Sequence, residues 1–506
     1  FVINCGMSHT QNVPLRTMSP WVQDALDALE YANGPATSPW GSLRARHGHP
    51  APFHLRYMEI GNENGGAPYA ERFALFYDSI KSKYPDVHLI TDVWGGYPNN
   101  RPVEMIDEHY YSSPRFFITN ADKYDSYDRK GPKIYVGEYA VTQGCGNGNL
   151  RAAVAEAAFM TGMERNSDVV AMASYAPLFA NVHYKKWNPD LINFDGSLGY
   201  GTPSYYVQQM FSTNRGDVVL QSDWVSQDLI REHAPRRNGK IGLGTWNTQS
   251  EYKDIKVTKG DKILYESDLE SDAKGWTRLS GNWKLVDGSL RQAAEGSQRL
   301  AMAGDTSWED YTVTLKARKI SGAEGFLILF SVKDSDRWVW WNIGGWNNSQ
   351  HALEYSDGDG KSVMGHFVPG SVETGRWYDI RIELNGEHIK CYLDGKLIQN
   401  EVYDTTPTKP LYAVVSRVTA THEIIVKVAN VSPMPVDTKI VIDGGVSIAS
   451  AGKSVVLTSA SPTDENSLEL PTKVIPKSKT LEGISNEFHY TFDPNSVTVL
   501  RLKADH

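Results

Sequence analysis

Apolar positions in the first two hundred residues alternate between short continuous runs and stripes with a 3.6-residue period. Phe1–Cys5, Arg56–Gly61, His88–Trp94, Val103–Tyr111, Ile134–Tyr139 and Val169–Tyr175 are runs of strand length. Between them, Ser19-Pro20 reads as a helix N-cap and first helical residue. Trp21, Val22, Ala25, Leu26 and Leu29 then share one face, and Gly34 closes the helix. Tyr69–Lys83 carries a second stripe at Phe73, Phe76 and Ile80, and Leu150–Arg165 is an Ala-rich helix. The Pro-, Gly- and His-rich stretch before Arg56 reads as a loop. Strands alternating with helices predict βα units on a parallel sheet. Six strands are legible where a (β/α)8 barrel needs eight. The pattern therefore predicts a partial TIM barrel that opens at its third strand, with the first two strands missing. Such a barrel exposes two sheet edges and part of its core, which is expected to impair this chain's activity or stability on its own.

From about Gly216 the helical period stops. Lys240–Val257, Tyr311–Ile320, Gly325–Val332, Trp377–Leu384 and Ile389–Leu393 alternate as strands, and Asn385-Gly386 and Asp394-Gly395 are hairpin turns. Leu411–Val431, Asp437–Asp443 and Ser496–Leu502 add a further set. The expected organisation is a multidomain chain, a partial barrel at 1–212 followed by all-β sandwiches.

Composition changes this picture little. At 506 residues the chain is too long for one core, and 40% hydrophobic with 22% charged residues is ordinary for a globular protein. A net charge of −9 argues against nucleic acid as a partner, and no apolar run is long enough to span a membrane. Cys5, Cys145 and Cys391 match neither a metal spacing nor a disulfide framework.

The chemistry concentrates where two apolar strands each end on a glutamate: YMEIGNENGG at Tyr57–Gly66 with Glu63, and KIYVGEYA at Lys133–Ala140 with Glu138. A carboxylate beside a sheet core is costly unless it has partners or a task. One glutamate of this kind is as often a surface carboxylate. Two of them, each beside a glycine, at the C-terminal ends of parallel strands, form the acidic pair that glycoside hydrolysis uses. Glu59 shares strand parity with Glu63 and reads as a structural partner in a polar layer. Between the two glutamates, IDEHYY places His109 and Tyr111 on one face. There Tyr111 can hydrogen-bond a carboxylate, or both residues can satisfy local backbone groups.

GNEN with Glu63, EHYY with His109 and Tyr111, and VGEYA with Glu138 resemble glycoside hydrolase family 51, the α-L-arabinofuranosidases. The surrounding WVQDALDALEYANGPATSPWGSLRARHGHPAPFHLRYMEIGNENGG and NLRAAVAEAAFMTGMERNSDVVAMASYAPLFANV extend the resemblance over nearly all of 1–212. It implies a retaining exo-acting enzyme that removes terminal arabinofuranose from plant polysaccharides such as arabinoxylan or arabinan. Glu138 would be the nucleophile after the seventh strand and Glu63 the acid/base after the fourth. Asn62 would bind a sugar hydroxyl and Tyr111 would steady Glu138, with His109 nearby. Trp94, Tyr175 and Trp187 either line the sugar slot or pack in the core. That chemistry calls for no metal and no organic cofactor, and a polymeric substrate implies a secreted or periplasmic location.

The resemblance also implies a C-terminal β-sandwich at 213–232 and 408–506, interrupted by 233–407. This middle piece resembles concanavalin/laminin-G-like sandwiches through RWVWWNIGGWNNSQHALE and GRWYDIRIELNGEHIKCYLDGKLI. Its stripe of Trp338, Trp340 and Trp341 reads as packing, and the loop Trp346-Asn347-Asn348 as the better sugar contact. Two other readings stay open: an endo-β-glycanase on the same kind of barrel, and a non-catalytic carbohydrate-binding fragment.

Overall fold

The computed structural model describes all residues except 9–10, 94–95, 226–229, 231–236, 268, 270–274, 358–360, 404–406 and 506. The chain forms two compact units, one of 1–141, 147–223 and 411–506 and one of 142–146 and 224–410.

The first unit is built on a six-stranded sheet in sequential order: β1 (Val2–Ile3), β2 (Tyr57–Ile60), β3 (His88–Thr91), β4 (Met105–Ser112), β5 (Lys133–Val141) and β6 (Val170–Tyr175). Every neighbouring pair is parallel, so the sheet is a parallel half-barrel. Helices α1 (Ser19–Asn33), α2 (Pro39–Arg46), α3 (Gly66–Lys83), α4 (Pro114–Thr119), α5 (Leu150–Arg165) and α6 (Pro203–Thr213) flank it. Met58 and Ile60 of β2 and Leu89 of β3 bury themselves against Ala25 and Leu29 of α1 and Phe73, Phe76 and Ile80 of α3. Residues 39–46, expected as loop, are helical. Ser38 accepts the Gly41 N–H, and Pro39 supplies a preset φ at the first turn, which outweighs the breaker composition of the stretch.

Helix α5 is buried on nearly every side because it lies between β5 and the strands Leu411–Arg417 and Ile424–Asn430. Its small side chains permit that double contact. Gly162 is obligatory there: a Cβ would fall 1.9 Å from the Ala121 carbonyl oxygen. Glu164 of α5 pairs with Lys427, and the Leu150 N–H donates to the Asp464 carbonyl at 3.0 Å. The antiparallel sheet behind α5 runs in the order 218–219, 411–417, 424–430, 496–505, 447–457, 477–482.

The second unit is a sandwich of a seven-stranded and an eight-stranded antiparallel sheet. Its core gathers Ile241, Leu243, Val313, Leu315, Phe326, Ile328, Trp341 and Ile382. Trp338 and Trp340 are also buried. They stack at 3.7 Å and belong to a separate apolar cluster with Leu300, Met302, Leu327 and Leu329, so the Trp stripe is divided between two layers by strand alternation. Among the described residues, no helix is long and apolar enough to cross a membrane.

Candidate active site

Strand β2 ends at Ile60, and the chain turns at once. Gly61 takes φ +92°, and a Cβ there would lie 2.5 Å from Asn64 Oδ1 and 2.9 Å from Asp92 Oδ2, so this corner accepts only glycine. Glu63 itself sits at φ +54°, a left-handed conformation that costs a non-glycine residue of order 1–3 kcal/mol. Hydrogen bonds hold the turn. Asn64 Oδ1 accepts from the Asn62 N–H at 3.1 Å, and the Asn64 N–H donates to Asp92 Oδ2 at 2.9 Å. The strain lets Glu63 leave the strand end as a part-exposed carboxylate, with Asn62 exposed beside it.

Strands β4 and β5 bring the remaining groups. Asp107 pairs with Tyr135 across the ladder, but His109 pairs with Glu138 instead of Gly137. The extra residue on β5 is a bulge that turns Glu138 onto the face carrying His109; strict alternation from Tyr135 would have turned it away. Tyr111 donates its hydroxyl proton to Glu138 Oε2 at 2.6 Å. His109 Nδ1 lies 3.0 Å from Glu63 Oε1 and 3.5 Å from Glu138 Oε2. One oxygen of each glutamate and a ring nitrogen of His109 all fall within 4.8 Å of one another.

Asp107 braces both arms. Its Oδ2 is 2.6 Å from His109 Nε2, and its Oδ1 accepts the Gly137 N–H at 2.9 Å. A Cβ on Gly137 would meet that oxygen at 2.2 Å, which explains the glycine before Glu138. Burial works against a charge on His109, but Asp107, then Glu63 and Glu138, outweigh it and push the imidazole up to about 9, so it is cationic at neutral pH. Burial and the Glu138 charge raise the Tyr111 phenol and keep it a neutral donor.

Beneath this layer Glu59, Asp92 and Asp107 present carboxylate oxygens within 4.8 Å of one another, all buried. Burial first, then Asp107 and Asp92, drive Glu59 far above the usual carboxylate range. Native Glu59 therefore keeps its proton, while the unfolded chain loses it above about pH 4.3. The unfolded state binds fewer protons across that window, so this group makes stability fall as pH rises. Glu59→Gln, neutral at every pH, is expected to raise the melting temperature by at least about 2–4 °C near pH 8 and to change little near pH 4. Thermal unfolding followed across pH checks this, and an equal shift at both ends would contradict it.

Of the other residues the sequence singled out, Trp187 is 46% exposed and meets the Tyr111 ring edge-on at 5.1 Å. Tyr175 is buried and packs on Tyr139 at 5.8 Å, whose hydroxyl accepts from Gln208 of α6. Trp94 lies outside the described residues. The supporting roles of Asn64, Asp92 and Asp107 were missed in the sequence. Asp107 shares parity with His109 and Tyr111, and that spacing is the signal that could have found it.

Comparison with known proteins adds an independent line. Residues 1–129 match the α-L-arabinofuranosidase 1 domain, and residues 137–496 match the α-L-arabinofuranosidase C-terminal domain. An extracellular exo-α-L-arabinofuranosidase of Streptomyces chartreusis is 43% identical over 498 residues, 95% of this chain and 59% of that protein. α-L-arabinofuranosidase 1 of Arabidopsis thaliana is 46% identical over 225 residues, 44% of this chain and 33% of that protein. The chain thus spans well under two thirds of the length of these relatives. Among solved structures, the arabinose-bound MgGH51 α-L-arabinofuranosidase superposes with a TM-score of 0.59 at 20% identity, covering 100% of this chain and 54% of that one, a likeness of fold. With family models spanning both the strand-end glutamates and the C-terminal sandwich, the chain belongs to glycoside hydrolase family 51, the α-L-arabinofuranosidases.

Proposed function

We propose that this chain carries the catalytic residues of a retaining exo-α-L-arabinofuranosidase that acts outside the cell on the arabinose side chains of plant polysaccharides. The observation that carries this reading is the spacing of Glu63 and Glu138, whose nearest oxygens lie within 4.8 Å. Double displacement uses carboxyl groups about 5–5.5 Å apart, whereas inversion needs room for water between them, about 6.5–9.5 Å.

In this reading Glu138 is the nucleophile. Tyr111 and His109 both face its Oε2, which leaves Oε1 to attack the anomeric carbon. The glycosidic C–O bond breaks as Glu63 passes a proton to the departing oxygen, and an ester to Glu138 forms. Glu63, now a carboxylate held at Oε1 by His109 Nδ1, takes a proton from water. The resulting hydroxide character cleaves the ester, and arabinose leaves with its original α configuration. Asn62, exposed beside Glu63, contacts a sugar hydroxyl. Trp187, edge-on to Tyr111, forms part of the slot wall. The half-barrel is then six strands of a (β/α)8 barrel, with Glu63 after the fourth and Glu138 after the seventh. The sandwich of 233–407 is an insertion in the C-terminal sandwich of 213–232 and 408–506. An aryl α-L-arabinofuranoside incubated with the chain, followed by proton NMR, tests the reading. Release of α-arabinose before mutarotation is expected, and β-arabinose as the first product would overturn double displacement.

A further inference from the structure

The second unit holds a strained loop that the proposed catalysis does not use. After Gly344 at φ +70°, three successive non-glycine residues, Trp346, Asn347 and Asn348, stand at φ +49°, +59° and +59°. Left-handed residues normally occur singly, and a bulky aromatic is the least tolerated of them. Such a run persists only where its surroundings over-determine it. Here they do. The Glu324 carboxylate accepts the backbone N–H groups of Asn347 and Trp346. The Asn348 side chain clamps Val372, accepting its N–H at 2.8 Å and donating to its carbonyl at 2.9 Å. Ser349 Oγ returns to the Trp346 carbonyl at 2.6 Å.

What the loop presents is an aromatic corner with polar edges. The half-buried Trp346 ring meets Phe367, itself 44% exposed, at 4.9 Å and 89°. Lys361 Nζ lies 6.0 Å from the Trp346 ring centre and 4.7 Å from that of Trp246, with its charge balanced by Glu354 at 2.6 Å. Asn347 is exposed at the tip. At the foot of the loop Asn342, 5% exposed, donates its amide to Glu354 at 3.1 Å and packs under Gly345.

We infer that the corner formed by Trp346, Phe367, Lys361 and Asn347 is a non-catalytic binding site for a neutral oligosaccharide chain. Flat rings suit the C–H faces of sugars, a compensated ammonium donates to hydroxyls without demanding an anion, and an exposed amide at the loop tip can donate to a hydroxyl or accept from one. The site requires no bond making and is independent of Glu63 and Glu138.

The test uses Glu138→Ala as the non-hydrolysing background, in native affinity gels containing soluble arabinoxylan or linear arabinan. Glu138→Ala is expected to be retarded, and Glu138→Ala/Trp346→Ala to need at least tenfold more polysaccharide for equal retardation. If Trp346→Ala does not fold, Phe367→Ala serves, since it removes an exposed ring and leaves the left-handed loop intact. Equal retardation with and without these rings, or no retardation of Glu138→Ala itself, would overturn the site. Hydrolysis of an aryl α-L-arabinofuranoside by Trp346→Ala with Glu138 intact should be unchanged. Loss there would show that the loop serves catalysis and would equally overturn an independent site.

Discussion

Glu138→Ala is expected to lower turnover of an aryl α-L-arabinofuranoside by about 10⁴-fold or more, since in the proposed mechanism it removes the covalent nucleophile, abolishes the two-step route and leaves only residual stabilisation. The surroundings of Glu138 say why the loss should be that large. The bulge in β5 aims it, Tyr111 holds its Oε2 at 2.6 Å, and Asp107 fixes the preceding Gly137 N–H. Glu59, Asp92 and Asp107 cannot substitute for it, because they are buried below the pair. The truncation leaves a small cavity, so a small anion such as azide should restore turnover and yield a glycosyl azide of inverted configuration. An alanine variant that stays within tenfold of the parent would remove Glu138 from the role of nucleophile.

Glu63→Ala is expected to separate substrates by leaving group. With a polysaccharide or alkyl arabinoside, the departing alkoxide needs the proton, and the loss should fall within the 10²–10⁴-fold range of general acid catalysis. With a nitrophenyl group, which leaves without help, the first step should survive while the second slows for want of a base. The expected signature is a burst of nitrophenol followed by a slow steady rate. Equal losses on both substrates, without a burst, would argue that Glu63 binds sugar and does not handle protons. This variant should leave the left-handed strain at φ +54° in place, since alanine keeps the Cβ that causes it.

These effects were partly legible in the sequence because strand-end position is a local property. YMEI followed by a glycine-flanked turn, and KIYVG followed by Glu138, announce carboxylates at the ends of strands without knowledge of the rest. The helix boundaries at Gly34, Leu150 and Arg165 were legible for the same reason, as caps, prolines and apolar spacing act within a few residues, but the first helix starts one residue early, with Ser19 inside it and Met18 at the N-cap position making no side-chain cap. Helix α2 was hidden by its composition, since the N-cap at Ser38 and the proline after it lie among residues that also suit a loop.

The sequence by itself determined the βα grammar of the first part, the all-β grammar of the rest, the two glutamates, and the shared face of His109 and Tyr111. Each depends on short-range periodicity or on backbone preference. Tertiary structure alone decided three things. The β5 bulge exists only through pairing with β4, and it sets which face Glu138 occupies. Asp107 reaches both His109 and Gly137 because β4 and β5 are neighbours. The charge on His109 and the proton on Glu59 follow from carboxylates brought together from four strands and their ends, at separations in sequence that no local pattern encodes. Ionisation in a buried cluster is a property of distance and desolvation, and both arise only when the chain has folded.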